Sequence, residues 1–255
     1  MLKKRLIPVL LLKNGRMIKT IQFEKWRDVG HPITAAKIYD AQGADELIFL
    51  DISASNENRE ILFDIISTVA EECFMPLTVG GGVRTIEDIR RLLSSGADKV
   101  SINTQAVECP EFIKEAALNF GSANIVVSID VRIKENGNYE VYTHSGKKAT
   151  GLNAIDWAVT MAKYGAGEIL ITSIDREGTM QGYDLKLISS IADNVNVSTI
   201  AHGGAGTLQH FVEAIKIGNA SAVAAGSIFH FTDQNLIKAR TYMKEANIDV
   251  KTVWD

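Results

Sequence analysis

Ile48-Phe49-Leu50-Asp51, a short apolar run that ends in an acid, has a later counterpart in Ile171-Thr172-Ser173-Ile174-Asp175, and the two aspartates stand 124 residues apart. Two further pairs of segments keep nearly the same separation. They are Gly81-Gly82 with Gly203-Gly204 at 122 residues, and Asn103-Thr104 with Gly226-Ser227 at 123 residues. Agreement among three separations indicates an internal repeat rather than chance recurrence of common residues. The sequence therefore predicts two similar halves.

Each half contains four short apolar runs separated by segments of helical periodicity. The predicted strands are Leu6 to Leu12, Glu46 to Asp51, Pro76 to Val79, Lys99 to Ile102, Ile125 to Asp130, Glu168 to Thr172, Val197 to Ala201 and Ala222 to Ala225. Strands that alternate with helices are typical of a parallel sheet covered by helices. Eight such units in 255 residues predict one α/β domain over residues 1–255. Its fold is a (β/α)8 TIM barrel built from two similar half-barrels.

Local signals add detail to this prediction. Thr85 and Asp88 have the spacing of a capping box at the start of a helix, and Gly96 ends that helix. Asn136-Gly137, between apolar and polar residues, predicts a hairpin inserted after the fifth strand. The segment from Lys13 to His31 is predicted to be a long loop, a length that favours a role as a lid.

The composition argues against several classes of protein. A hydrophobic fraction of 46% and a net charge of −4 give no electrostatic basis for binding nucleic acid. Cys73 and Cys109 are too few for a disulfide framework and lack metal-ligand spacing, so we expect a cytoplasmic protein without a metal or a cofactor. The apolar run from Ile7 to Leu12 contains Pro8 and is too short for a signal peptide or a membrane span, so it is interpreted as the first strand.

The polar residues that close the predicted strands are the candidate site, because active sites of such barrels lie at the carboxyl ends of the strands. Glycines follow strands three and seven, where a missing side chain lets backbone N–H groups approach an anion, and strands four and eight end nearby. We call these groups the first cradle, Gly81, Gly82, Asn103 and Thr104, and the second cradle, Gly203, Gly204, Gly226 and Ser227. Two cradles predict a small ligand with a phosphate at each end. The alternative is that the glycines only permit tight turns.

Two side chains near these cradles are candidates for chemistry. Asp130 closes strand five at an apolar barrel mouth, where a raised pKa would suit acid–base catalysis. As an alternative, Asp130 only hydrogen-bonds loop amides. Lys19, in the predicted lid, could close over an anionic substrate or be a solvated surface lysine. Asp51 and Asp175 close strands two and six and complete the candidate set.

At these residues the chain resembles HisF, the cyclase subunit of imidazole glycerol phosphate synthase, over essentially its whole length. The resembling segments are Lys13-Asn14-Gly15-Arg16, Ala44-Asp45-Glu46-Leu47, Phe49-Leu50-Asp51-Ile52-Ser53-Ala54-Ser55, Leu77-Thr78-Val79-Gly80-Gly81-Gly82, Gly96-Ala97-Asp98-Lys99-Val100-Ser101-Ile102-Asn103-Thr104, Asp175-Arg176-Glu177-Gly178-Thr179 and Ser227-Ile228-Phe229-His230. The resemblance implies a barrel that binds a HisH-type glutaminase at its amino-end face, as a heterodimer, and receives ammonia along its axis. It also implies conversion of the bis-phosphorylated PRFAR to imidazole glycerol phosphate and AICAR.

The resemblance assigns roles to further residues. A charged ring that gates ammonia matches Arg5, Glu46, Lys99 and Glu168. Asp98 matches a position associated with glutaminase docking, and Glu177 and Gly178 fall in a substrate-binding segment.

Three positions depart from the family pattern. Family cyclases carry a second catalytic aspartate at the end of strand one, where this chain has Leu11, which can neither donate nor accept a proton. Glu177 stands in place of the usual aspartate, and His202 in place of a small hydroxyl residue. Three functions follow as alternatives: a PRFAR cyclase weakened by Leu11, a barrel that passes ammonia to a sugar-amidating synthetase in surface-polysaccharide biosynthesis, or a non-catalytic scaffold that binds phosphate.

Overall fold

The computed structural model describes residues 3–52 and 63–251, and within these ranges eight parallel strands close into a barrel. The strands are β1 Arg5–Lys13, β2 Arg16–Ile21, β3 Lys25–Gly30, β4 Leu47–Asp51, β5 Leu77–Gly80, β6 Lys99–Ile102, β7 Ile125–Ile133, β8 Tyr139–Thr143, β9 Lys148–Asn153, β10 Glu168–Ser173, β11 Ser198–His202 and β12 Ala222–Ala225. The helices are α1 Pro32–Ala41, α2 Phe63–Glu72, α3 Ile86–Ser94, α4 Thr104–Glu108, α5 Glu111–Phe120, α6 Ala154–Lys163, α7 Leu185–Ala192, α8 Leu208–Lys216, α9 Ser227–Phe231 and α10 Leu236–Glu245.

The barrel strands are β1, β4, β5, β6, β7, β10, β11 and β12. Each pairs in parallel with the next, and the ring closes where β12 pairs with β1, with Arg5 opposite Ala222. These eight strands coincide with the eight predicted ones to within a few residues at their ends, so the predicted (β/α)8 barrel is confirmed. The repeat is also structural, because β6 and β12 are each followed at once by a five-residue helix, α4 and α9.

Two apolar layers hold the barrel. One fills the interior with branched and small side chains such as Ile7, Ile48, Leu170 and Ala222, all of them fully buried. The other lies between the strands and the surrounding helices. Each strand therefore buries both faces, which explains why the strands are near-continuous apolar runs.

The predicted start and end signals of helix α3 are both present in the structure. At the start of α3, the amides of Arg84 and Thr85 both donate to Oδ2 of Asp88 at 2.9 Å, and the Asp88 amide donates to Oγ1 of Thr85 at 3.1 Å. This is the predicted capping box. Gly96 follows the helix with a φ of +103°.

Hairpins extend the first strand of each half above the mouth. The hairpin predicted at Asn136-Gly137 joins β7 to β8. The prediction of a long loop over Lys13 to His31 was wrong, because β2 and β3 form an antiparallel hairpin there that continues β1. The turn that joins β1 to β2 is Asn14-Gly15, which lies 122 residues before Asn136-Gly137 and therefore belongs to the repeat. Among the described residues, no helix is long and apolar enough to cross a membrane.

Candidate functional site

The carboxyl ends of the barrel strands surround a pocket with a volume of about 100 Å³. The predicted site residues that line it are Asp51, Gly81, Gly82, Asn103, Thr104 and Asp130, with His202 at its edge. The fold thus brings the first cradle and the candidate acid together. Ser53 to Ser55, the end of one resembling segment, lie outside the described residues.

The first cradle has the backbone conformation that its glycines predict. Gly81 and Gly82 have φ values of +103° and +76°, which L-residues with side chains rarely adopt. A Cβ at Gly81 would lie 2.1 Å from the carbonyl oxygen of Asp51, so a glycine is required there. Asn103 precedes α4, and its Nδ2 donates to Asp130 at 2.7 Å.

The second cradle repeats this arrangement on the other side of the mouth. Gly203 and Gly204 have φ values of +92° and +110°, and Gly226 and Ser227 begin α9. Its pocket is separate from the first and also contains Lys19, Glu177 and Gly178.

Lys19 lies inside the second cradle rather than on the surface. Only 4% of the residue is exposed, and its Nζ donates to the carbonyl oxygen of Val9 at 3.0 Å. The ammonium packs against Gly226, and the free space left in the cradle measures about 10 Å³, about enough for one water. Burial lowers the pKa of Lys19 to about 8, although Glu177 opposes this shift. At neutral pH the second cradle therefore contains a buried cation.

Asp130 has the electrostatic environment of an acid–base group. Desolvation raises its pKa to about 7, although hydrogen bonds with Ser128 and Asn103 act in the opposite direction. Ser128 Oγ donates to Oδ1 at 3.3 Å. Leu11 lines the same pocket and is 3% exposed, so the wall on the side of strand one is apolar.

The carboxylates of Glu177 and Asp175 accept hydrogen bonds from the hairpins above the mouth. The buried Oε2 of Glu177 accepts hydrogen bonds from Thr20 Oγ1 at 2.9 Å and from the Phe23 amide at 3.1 Å, which fixes the β2–β3 hairpin. The carboxylate of Asp175 accepts from the Ile133 amide at 2.9 Å and lies outside both pockets. Asp51 and Asp175, which are equivalent in the repeat, therefore have different surroundings, since Asp51 lines the first pocket.

His202 lies between the two pockets and lines both of them. Its Nδ1 is 3.1 Å from Oγ1 of Thr172. Burial, together with the charge of Lys19, lowers the pKa of His202 to about 3, so the ring is neutral at physiological pH.

Several hydroxyl residues of the pocket were missed from the sequence. Ser101 and Ser128 line it two positions before Asn103 and Asp130, and Thr172 and Ser145 also contribute. The sequence did contain a signal for Ser101 and Ser128, because side chains two residues apart on a strand point to the same side.

The charged ring closes the opposite, amino end of the barrel. Arg5 contacts Glu46 at 2.7 Å and Glu168 at 2.8 Å, while Lys99 contacts Glu46 at 2.8 Å and Glu168 at 3.2 Å. Each cation thus bridges both anions. Thr78, which the sequence did not single out, donates its hydroxyl to Glu46 at 2.5 Å.

Asp98 lies beside this ring, at the start of β6. Its Oδ2 accepts from the Leu77 amide at 2.8 Å, and the residue remains exposed on the amino-end face. Among residues 3–52 and 63–251, no group of three or more histidine, cysteine, aspartate or glutamate side chains could hold a metal ion.

A comparison with protein-family models places these features in context. The model described as histidine biosynthesis protein matches residues 5–235, which include both cradles, Asp130 and all four members of the charged ring.

Proposed function

The chain belongs to the family of histidine biosynthesis proteins, and from this premise we propose that it is a HisF-type synthase subunit that uses ammonia from a HisH-type glutaminase. Its reaction is the lyase-type conversion of PRFAR to imidazole glycerol phosphate and AICAR. One observation carries the proposal: a closed charged ring at the amino end and an acid of raised pKa at the mouth lie at opposite ends of one barrel.

The proposed chemistry assigns each end of the barrel a task. Ammonia enters through the charged ring, whose members can exchange partners because each cation already contacts two anions. At the mouth, Asp130 is poised to transfer a proton near neutral pH, where general acid–base groups are most effective. The first cradle supplies backbone N–H groups for one phosphate, and Lys19 supplies a positive charge for the other once its ammonium leaves the space beside Gly226.

Leu11 sets the expected rate. One positioned acid–base group typically raises the rate by about 10²- to 10⁴-fold, which lowers the barrier by roughly 3 to 5 kcal/mol. Leu11 provides no such group. We therefore propose a cyclase that is slow with PRFAR.

The test compares the wild-type protein with Leu11→Asp and Leu11→Asn, each supplied with PRFAR and an ammonium salt. Leu11→Asp is expected to raise turnover by about 10²-fold or more, while Leu11→Asn, of similar shape but unable to transfer a proton, stays near wild type. Equal rates for the wild type and both variants would contradict the assignment of Asp130 and position 11 as a catalytic pair.

Leu11 itself favours a second candidate function. A complete charged ring at one end of the barrel and an incomplete acid pair at the other suit a barrel that conducts ammonia without using it. The acceptor is then a sugar-amidating synthetase of surface-polysaccharide biosynthesis. Wild-type turnover of PRFAR at about 1 per second or faster, as is usual for enzymes, excludes this candidate. No turnover by the wild-type protein, together with activity of Leu11→Asp, supports it. If every variant is inactive with PRFAR but binds inorganic phosphate, the remaining function is a phosphate-binding scaffold.

A further inference from the structure

The two halves of the barrel fix their cradle loops with different chemical groups at the same repeat position. In the first half, Asp88 Oδ2 accepts hydrogen bonds from the amides of Arg84 and Thr85. In the second half, 122 residues later, Nδ1 of His210 accepts from the amides of Gly206 at 3.1 Å and of Thr207 at 3.3 Å. Both acceptors lie at the same place in their helices, α3 and α8.

The protonation state of His210 follows from these partners. Backbone amides can only donate, so Nδ1 must carry a free electron pair, and the imidazole must be neutral. A proton on Nδ1 would remove both hydrogen bonds at once and place a third N–H group against the two amides. Asp88, a carboxylate, has no such requirement at neutral pH.

His210 also contacts the loop around residues 180–182, which packs against the second cradle. A Cβ at Gly182 would lie 3.4 Å from Nε2 of the imidazole, and the Gly182 amide donates to the Gly204 carbonyl at 2.8 Å. Gly206 packs closely on Met180 of the same loop, where a Cβ would lie 2.1 Å from the carbonyl oxygen. The imidazole therefore fixes the carboxyl-side end of the segment that carries Gly203 and Gly204, and it also contacts Gly182, which hydrogen-bonds to Gly204.

We propose that His210 is a positioning residue for the second cradle, and that its protonation releases the loop and weakens anion binding there but not in the first cradle. The effect on anion binding rests on the proposed function of the cradles. The effect on the loop does not.

Charged groups on the neighbouring elements have other partners. Arg176, in the loop after β10, donates to the Gln181 carbonyl at 3.5 Å. Asp184, before α7, accepts from the Tyr139 hydroxyl at 3.0 Å, and Glu213, on α8, accepts from Gln209 at 3.2 Å.

Two basic groups in the pocket of the second cradle, His202 and Lys19, can also bind protons, and neither produces the proposed effect. His202, with a pKa of about 3, stays neutral between about pH 5 and 8, the range in which an ordinary histidine titrates. Lys19, with a pKa of about 8, gains positive charge as the pH falls, which strengthens anion binding. Loss of binding on acidification is therefore opposite in sign to the effect of Lys19.

The first experiment needs no variant and no ligand. Amide hydrogen exchange measured by NMR at about pH 7.5 and 5.5 compares Gly206 and Thr207 with Arg84 and Thr85, after correction for intrinsic rates. We expect protection of the first pair to fall roughly three- to tenfold on acidification, the effect of losing a hydrogen bond, while the second pair is unchanged. Parallel behaviour of the two pairs would overturn the proposal.

The second experiment exchanges the two acceptors. His210→Asp should keep the second cradle loop protected at both pH values, and Asp88→His should transfer the pH dependence to Arg84 and Thr85. His31→Asp is the matched control, because His31 precedes α1 without a side-chain capping bond and its replacement should change neither pair. A His210→Asp protein that retains the wild-type pH dependence would refute the role of His210.

The third experiment measures anion binding with sulfate, which stays a dianion across this range. Shifts of the Gly203, Gly204 and Gly226 amides report the second cradle, and shifts of Gly81 and Gly82 report the first. The wild-type protein should lose about three- to tenfold of its second-cradle affinity between about pH 7.5 and 5.5, and His210→Asp should not. If the exchange experiments succeed but sulfate shifts neither set of amides, the role of His210 stands and the cradle assignment fails.

Discussion

Replacing Asp130 by asparagine should make the protein more stable at high pH and change its stability little at low pH. Burial raises the pKa of Asp130 from 3.8 to about 7, so the folded protein favours the protonated carboxyl. The contribution of this group to stability is therefore fully present below about pH 4 and is lost as the pH rises through 7. A shift of this size corresponds to at most about 4 kcal/mol. Asparagine is neutral throughout and does not incur this loss.

The expected gain is smaller than this limit, because the carboxyl faces a pocket that water can enter. We expect Asp130→Asn to exceed the wild-type free energy of unfolding by about 2 kcal/mol at pH 8, with the difference disappearing toward pH 4. Asparagine can keep the neighbours of Asp130, since its oxygen can accept from Asn103 and its amide can donate to Ser128. The substitution therefore changes charge with little change in packing.

The measurement is urea unfolding at several pH values between about 4 and 8, followed by tryptophan fluorescence. Asp64→Asn, on the exposed side of α2, is the control for a generic loss of negative charge. A difference between Asp130→Asn and the wild type that does not change with pH would refute the raised pKa, and with it the assignment of Asp130 as an acid–base group.

Three further substitutions test the geometry. Gly81→Ala should cost about 2 to 4 kcal/mol in the free energy of unfolding, because a Cβ there meets the backbone 2.1 Å away, whereas Gly137→Ala, which has a positive φ but open space, should cost about 1 kcal/mol. Arg5→Met should cost about 2 to 3 kcal/mol by urea unfolding, since it leaves the buried Glu46 and the largely buried Glu168 with one cation, while Arg16→Met, which breaks an exposed pair, should change little. Glu177→Ala should speed tryptic cleavage within the β2–β3 hairpin several-fold without unfolding the barrel, and an unchanged cleavage rate would show that Glu177 does not fix it.

The barrel strands could be predicted because each buries both of its faces, which leaves an uninterrupted apolar run in the sequence. The hairpin of β2 and β3 could not, because four of the six residues of β3 are exposed, and a strand with so little burial has no apolar pattern. It forms because β1 continues above the mouth and offers a free edge to β2. The Asn14-Gly15 turn between β1 and β2, which corresponds to Asn136-Gly137 in the repeat, was the local signal in the sequence.

The candidate site was predictable as far as backbone conformation determines it. The glycine pairs mark positions where only a positive φ fits, and spacing alone located them. Side-chain direction was not predictable: Asp51 and Asp175 are equivalent in the repeat, yet Asp51 lines the first pocket while Asp175 lies outside both cradle pockets. Lys19 is also buried in the second cradle rather than extended over the ligand, because the path of its hairpin carries it past Val9.

The β2–β3 hairpin meets a second antiparallel hairpin, formed by β8 and β9, above the pocket. There the Phe23 ring, at the turn between β2 and β3, lies against Gly146, at the turn between β8 and β9. A Cβ at Gly146 would be 2.8 Å from Cδ2 of Phe23. Phe23 also lines the pocket, so a ligand that enters from this side must open a small apolar contact before it reaches Asp130. Such a contact affects the association and dissociation rates of a ligand more than its affinity at equilibrium. Phe23→Ala should therefore raise association and dissociation rates together, and the residence time of a ligand becomes a property of two loop tips.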